Sequence, residues 1–177
     1  MSTPPAPGTQ RADRTPDTPD LVDRIQQEWA QAYPQFDVGP IGVLGRIQHI
    51  ATASSHRLDR HLEPHGVTRS EYDVLGALAR SDRPLRASDV VSTTLLSGAS
   101  ITKITESLSR RGLLERRKSE RDGRVVLLEP TADGRALVEA ELPRRLADDE
   151  HALSGLDPAE REMLATLLRK VSATVGG

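Results

Sequence analysis

Apolar residues recur three and four positions apart along most of the chain, and this spacing predicts amphipathic helices. Four long stripes of this kind begin near Leu21, Pro40, Ala132 and Pro158. Between the second and third stripes the pattern predicts three shorter helices, one behind Thr68 and the others at 87–93 and 97–111. Two short strands follow, at 113–118 and 124–129. The predicted order is five helices, a β-hairpin and two helices, which is a mainly α fold.

Local motifs support the predicted ends of these elements. Thr68 and Glu71 have the spacing of a capping box at a helix start. Gly112 suits the position just after a helix, where a left-handed backbone is common. The polar segment 119–123 suits the tip of a hairpin.

The chain divides by composition into a tail, a first helix and a single domain. Residues 1–19 contain five prolines and almost no apolar side chains, which is typical of a disordered tail. Residues 20–34 form an N-terminal helix, which Asp20 caps and Pro34 ends. Residues 35–175 form one domain, since 177 residues favour one domain with appendages.

Composition excludes several classes of protein. The chain has no cysteine, which excludes disulfides, thiolate metal sites and thiol redox sensing. No apolar run is long enough to cross a bilayer, and the N-terminus lacks the apolar segment of a secretory signal. We therefore expect a cytoplasmic protein with no membrane partner. Window 97–124 has eight basic and four acidic residues, a local charge of +4 against −2 for the whole chain.

A helix, a tight turn, a second helix and a hairpin in this order indicate a winged helix-turn-helix, whose core spans about 68–131. The second helix of such a fold enters the major groove of double-stranded DNA, and the hairpin reaches the flanking backbone or minor groove. Small and hydroxylated residues at the start of that helix allow close approach to the duplex, and long cations suit a narrow groove. The predicted DNA-binding residues are Ser97, Ser100, Thr102 and Lys103 in the helix, with Arg121 and Arg124 in the wing.

The segment 122–135 resembles the MarR family of transcriptional regulators. The family pattern is Asp-x-Arg, a short apolar strand and then Leu-Thr-x-x-Gly, which opens the dimerisation helix; Pro130 replaces the leucine here. Segments 97–103 and 111–116 are similar to the family's recognition helix and its exit. The resemblance covers about 40–175, and it implies a homodimer on a pseudo-palindromic operator, with N- and C-terminal dimerisation helices in the domain 35–175.

The additional helix 20–34 is similar to the urate-responsive (PecS-like) branch of that family. The resemblance implies a ligand site of Trp29, Asp73 and Arg116, in which the tryptophan and the arginine suit a planar anion. Asp73 would be repelled by that anion or would take up a proton, and either change would shift the recognition helix. The branch has a second arginine where this chain has Ile104, which argues against urate and favours a less charged or more apolar ligand. The expected function is a repressor that a purine-like or aromatic effector releases from DNA.

Other interpretations remain open at this point. Trp29 could hold its helix to the body, while Asp73 and Arg116 could be ordinary surface charges. A regulator without a ligand is one alternative. A metal-responsive regulator is another, because four histidines lie in one stretch, at His49, His56, His61 and His65. No phosphate loop, nucleophile elbow or His-Glu-x-x-His motif is present, so we expect neither an enzyme nor a cofactor.

Overall fold

The computed structural model describes residues 18–94, 96–119, 122 and 125–175, and its α-helices follow the predicted order. A short 3-10 turn, Glu63–His65, follows the second helix. The elements of these ranges, in chain order, are α1 (Leu21–Ala32), α2 (Gly39–Leu62), α3 (Arg69–Ala79), β1 (Leu85–Arg86), α4 (Ala87–Thr93), α5 (Gly98–Arg110), β2 (Leu114–Lys118), β3 (Val126–Pro130), α6 (Ala132–Ala152) and α7 (Pro158–Val175). The predicted tail lies almost wholly outside the described residues.

The helix ends use the caps that the sequence predicts. The Asp20 carboxylate accepts hydrogen bonds from the backbone N–H groups of Val22 and Asp23, at 2.7 and 2.9 Å. Thr68 and Glu71 form the reciprocal capping box of α3. Gly112 follows α5 with a φ of 72°, a conformation that costs glycine little. The capping motifs therefore place the starts of α1 and α3 and the end of α5 correctly.

The sheet has three antiparallel strands in the order β1-β3-β2. Strand β3 is central, and its Leu128 lies opposite Leu85 of β1 and Arg116 of β2. The sequence prediction of a two-stranded hairpin is correct for β2 and β3 but misses β1. Two residues are too few for any periodicity, so β1 forms only because β3 offers it an edge.

The structure divides into two compact units, Met1–Thr52 and Ala53–Gly177. In the first unit, Val22 is buried, and a Cβ on Gly45 of α2 would lie 2.9 Å from a methyl of Val22. Arg46 donates to Asp20 at 2.9 Å and to Asp23 at 2.7 Å. Close helix packing and this ion-pair cluster therefore fix α1 against the start of α2.

The second unit contains a continuous apolar core beneath the winged helix. Each element of the helix-turn-helix buries one face, as the helical spacing predicts. Fully buried side chains come from the end of α2, from α3, α4 and α5, and from β2 and β3: they are Leu62, Val74, Leu75, Leu78, Val90, Ile101, Leu108, Leu114 and Leu128. This core holds α5 on the sheet and leaves its opposite face free.

The start of α6 is bound closely to the exit of α5. The Thr131 hydroxyl donates to the Gly112 carbonyl at 2.7 Å and accepts from the Gly134 backbone at 3.1 Å. A Cβ on Gly134 would collide with the Leu113 carbonyl oxygen. The threonine and glycine of this motif therefore serve to bring α6 against the winged helix.

Candidate nucleic-acid interface and effector pocket

Helix α5 has one buried face and one exposed face. Ile101, Thr105 and Leu108 are buried at helical spacing. The exposed stripe on the other side consists of Ala99, Thr102, Lys103, Glu106 and Arg110. A stripe of this length and polarity fits the major groove, where a recognition helix presents its N-terminal side chains to base edges.

Hydroxyl groups organise the first turns of α5. Ser97 caps the helix, and its Oγ lies 2.9 Å from the Oγ of Ser100. Thr102 Oγ1 donates to the Gly98 carbonyl at 3.3 Å. Ser97, Thr102 and Lys103 are exposed and Ser100 is half-buried, so four of the predicted DNA-binding residues lie at one end of the helix. The predicted wing residues, Arg121 and Arg124, lie outside the described residues.

A buried carboxylate anchors the other end of α5. Glu71 accepts hydrogen bonds from the hydroxyl of Ser107 at 2.8 Å and from Nη1 of Arg111 at 3.3 Å. Burial alone would raise the pKa of Glu71, but hydrogen bonds from Thr68 and Ser107 and the Arg111 charge outweigh it and lower that pKa. Glu71 therefore remains charged and links the capping box of α3 to the recognition helix.

Arg116, one of the predicted ligand residues, lies on β2 and forms an ion pair with α5. Its Nη1 is 3.5 Å from Oε1 of Glu106, which belongs to the exposed stripe of α5. Both side chains are at least one third exposed, so the pair contributes little to stability. The pair connects β2 to the exposed stripe of α5.

Asp73 lines a small cavity of about 110 Å³ among the C-terminal half of α2, α3 and α6. Its carboxylate is 3.9 Å from Nη1 of Arg145, and Arg69 also lines the cavity. The remaining lining residues are Ser54, Ser55, Leu58, His61, Asp148 and Asp149. The lining of the cavity therefore combines cations, carboxylates and hydroxyls with one aliphatic side chain, that of Leu58.

Trp29 lies in the first unit, whereas Asp73 and Arg116 lie in the second. Its side chain is 49% exposed, and its ring centroid is 5.5 Å from that of Tyr33. Asp73 and Arg116 have different charged partners, Arg145 and Glu106. The structure therefore gives each predicted ligand residue a local partner of its own.

Two of the four histidines of the metal alternative contact carboxylates of α6. His65 Nε2 lies 3.0 Å from Oε1 of Glu141, and His61 Nε2 lies 3.7 Å from Oδ2 of Asp148. Within the described ranges, no group of three or more His, Cys, Asp or Glu side chains has an arrangement that could hold a metal ion.

None of the helices in the described ranges combines the length and the apolar character that a membrane span requires.

Two features of this region could not be predicted from the sequence. No motif indicates a partner for Arg111, and its contact with Glu71 becomes visible only when α5 is known to pass over α3. Arg145 showed no signal at all, because its importance depends on α6 lying against Asp73.

Comparison with known proteins decides the family. A family model described as the MarR family matches residues 65–125, which contain α3, α4 and α5. The transcriptional regulator PecS of Dickeya dadantii is 26% identical over 152 residues, covering 85% of this chain and 92% of PecS. The transcriptional regulator MhqR of Bacillus subtilis is 30% identical over 115 residues, covering 64% of this chain and 78% of MhqR. The chain belongs to the MarR family.

A solved structure agrees with this MarR-family assignment. It is BpsR of Bordetella bronchiseptica, a protein whose DNA binding is regulated by 6-hydroxynicotinic acid. The two proteins are 31% identical with a TM-score of 0.65, and the match covers 73% of this chain and 92% of BpsR. The winged helix-turn-helix predicted from the sequence is therefore confirmed.

Proposed function

We propose that this MarR-family chain is a cytoplasmic transcriptional regulator that binds double-stranded DNA through α5. The exposed polar stripe of α5 carries the proposal, because the buried opposite face fixes it outward on the second unit. PecS and MhqR are both described as transcriptional regulators, which supports the same role. A regulator needs no chemistry of its own, so we propose no reaction.

The regulator acts as a homodimer on a pseudo-palindromic operator. Helix α7 buries no residue within the chain, and Met163 and Leu167 on its apolar stripe are 60% and 50% exposed. A stripe of this size on a separate helix needs a second surface. A second copy supplies it with two-fold symmetry, which matches two half-sites about one DNA turn apart.

Each predicted DNA-binding residue has a role in this complex. Ser97 and Ser100 bring the start of α5 close to the phosphates, and Thr102 and Lys103 face the groove. For Arg121 and Arg124, the cations predicted for the wing from the sequence, we expect contacts with the minor groove. Glu106 and Arg116 form a pair beside the groove, in which each charge screens the other.

The test measures affinity for the upstream region of the protein's own gene against random duplex at several salt concentrations. We expect a strong preference for the upstream region and a steep fall with salt. Lys103→Ala should lower the salt slope by about one, because one phosphate contact is lost. Lys170→Ala removes an exposed lysine of α7 and should leave the slope unchanged. Equal affinity for both DNAs would contradict the proposal.

The regulator also responds to a small aromatic or purine-like ligand, and is a repressor that this ligand releases from DNA. The support is the cavity at Asp73, where Arg69 and Arg145 can receive an anion, and the regulation of BpsR by an aromatic acid, 6-hydroxynicotinic acid. A volume of about 110 Å³ is below the roughly 300–1,000 Å³ of typical ligand sites. Effector binding must therefore separate α3 from α6, and this movement would disturb α5.

A DNA-shift assay with urate, xanthine, hypoxanthine and 6-hydroxynicotinic acid tests the effector. We expect one or more of them to release the DNA, with Ile104 favouring the less charged ones. Asp73→Asn keeps the shape of the side chain and should change the effector response. Trp29→Leu and Arg116→Gln test the other two predicted ligand residues. No release by any of the four would contradict this class of effector, and a response unchanged in Asp73→Asn would remove Asp73 from the site.

A further inference from the structure

A continuous chain of polar contacts connects α6 to the recognition helix. It begins at Glu141, whose side chain is 1% exposed and whose Oε1 lies 3.0 Å from the ring of His65. The His65 carbonyl accepts a hydrogen bond from Nη2 of Arg111 at 3.1 Å. Nη1 of the same guanidinium reaches Glu71, which accepts from Ser107 in α5. Each step is a direct contact within the second unit.

The geometry makes Arg111 the central link. Its planar guanidinium contacts the His65 backbone with one nitrogen and the Glu71 carboxylate with another, so it cannot follow one partner without straining its contact to the other. Arg111 is the C-cap of α5, directly after the last residue of the helix. A displacement of His65 therefore acts directly on the C-terminal end of the recognition helix.

The other end of the chain of contacts lies beside the Asp73 cavity. Arg144 donates to Glu141 at 3.0 Å, and its neighbour Arg145 faces Asp73 across the cavity. Asp148, one turn further along α6, also lines that cavity. The same two turns of α6 thus hold both the cavity wall and the carboxylate that contacts His65.

Glu141 is suited to report a movement of α6. Its second oxygen, Oε2, is buried and has no hydrogen-bond partner among the described residues. A buried carboxylate oxygen without a partner is costly, so a movement of α6 that brought it a donor would be favourable. Coupling between sites needs such an element, with an equilibrium that both sites can bias.

We infer that Glu141, His65, Arg111 and Glu71 form a relay that sets the orientation of α5 according to the position of α6. Glu141, His65 and Glu71 are positioning residues in this relay, because they act on DNA through Ser107 and Arg111. The inference rests on the proposed DNA-binding function, and it supplies the route by which opening of the Asp73 cavity would weaken operator binding.

A double-mutant cycle on operator affinity tests the relay. Glu141→Gln and Ser107→Ala change its two ends, which do not touch each other. We expect each to weaken operator binding, and the double variant to differ from the product of the single effects by about threefold or more. The matched control pairs Glu141→Gln with Thr102→Ala, which removes a hydroxyl from α5 outside the relay; those effects should multiply. If Glu141→Gln does not fold, His65→Ala replaces it, because that side chain is partly exposed.

Amide hydrogen exchange of α5 in the DNA-free protein gives a second readout. Glu141→Gln should accelerate exchange in the last turns of α5, and should add nothing once Ser107→Ala is present. Failure of the wild type to prefer its operator would overturn the proposed function, and exchange would then still decide the relay. If the protein binds its operator but the effects of Glu141→Gln and Ser107→Ala simply multiply, as those of the control pair do, the relay alone is overturned. Unchanged amide hydrogen exchange of α5 in Glu141→Gln would also overturn the relay alone.

Discussion

Helices α5 and α7 both show an apolar stripe in the sequence, yet the structure buries the stripe of α5 and leaves that of α7 exposed. In α5 the stripe is enclosed by the same chain, and Ile101 and Leu108 are fully buried. In α7 no residue is buried, and Met163 and Leu167 are at least half exposed. Periodicity therefore predicts that a helix has an apolar face, but not which surface will cover that face.

The difference separates a part of the molecule whose apolar face is covered by its own chain from a part whose apolar face is left exposed. Helix α5 is further fixed at both ends, by the Ser97 cap and by the Glu71 contacts to Ser107 and Arg111. Helix α7 begins after a turn held by Arg161, which donates to both oxygens of Glu150 at 2.9 and 2.8 Å. The turn sets the direction of α7, and the proposed second subunit sets its packing.

The largest expected effect comes from placing a charge in the exposed stripe of α7. Leu167→Glu should leave each subunit folded, because the side chain is half exposed in the single chain, but should dissociate the proposed dimer. Operator affinity should then fall by about 10²- to 10⁴-fold, because the second half-site no longer binds with high effective concentration. Light scattering after size exclusion measures the mass, and a DNA-shift titration measures the affinity.

Ala173→Glu is the matched control, since it places the same charge on the opposite face of α7. It should leave both the mass and the affinity unchanged. A dimeric Leu167→Glu variant with normal operator binding would show that the stripe has another use, and the contrast between α5 and α7 would have to be explained without a second copy.

A smaller effect, on stability, is expected where α6 meets the exit of α5. Gly134→Ala brings a methyl group into the Leu113 carbonyl oxygen, and backbone cannot move aside as a side chain can. We expect a loss of about 3 kcal/mol in the free energy of unfolding, at the upper end of overpacking effects. Gly155→Ala, in the turn before α7, has no neighbour within 4 Å of the new Cβ and should cost nothing. Urea unfolding measures the stability of both variants, and equal losses would contradict the close packing of α6 against the exit of α5.

Much of this architecture could be predicted from the sequence because it depends on local rules. The capping residues Asp20 and Thr68 and the left-handed Gly112 were identified from their neighbours alone. The position of the recognition helix and the MarR-family assignment followed from the motifs around it. The strand β1 was missed because it has two residues and forms only through pairing with β3.

The candidate sites were predicted less completely, because they depend on contacts between elements distant in sequence. Asp73 was identified by resemblance, but its partner Arg145 comes from a helix 72 residues further along the chain. Glu141 is fully buried and charged, and no spacing rule predicts a buried carboxylate. Arg116 was assigned to a ligand, and its contact with Glu106 became visible only when β2 was placed beside α5.

The smallest expected effect concerns Glu71 and the pH dependence of the α5 anchor. Because the folded protein holds the pKa of Glu71 below the ordinary value of 4.5, the charged carboxylate stabilises the fold above that pH. This contribution should be lost as the pH falls below about 4.5 toward the folded pKa. Glu71→Gln should therefore lower stability by about 1 kcal/mol at pH 7, and by less as the medium becomes acidic. Thermal unfolding from pH 7 to pH 3 measures the difference in stability between the wild type and Glu71→Gln. A difference that is constant with pH would show that Glu71 acts through its shape and not its charge. At this end, α5 would then be attached no more specifically than α7.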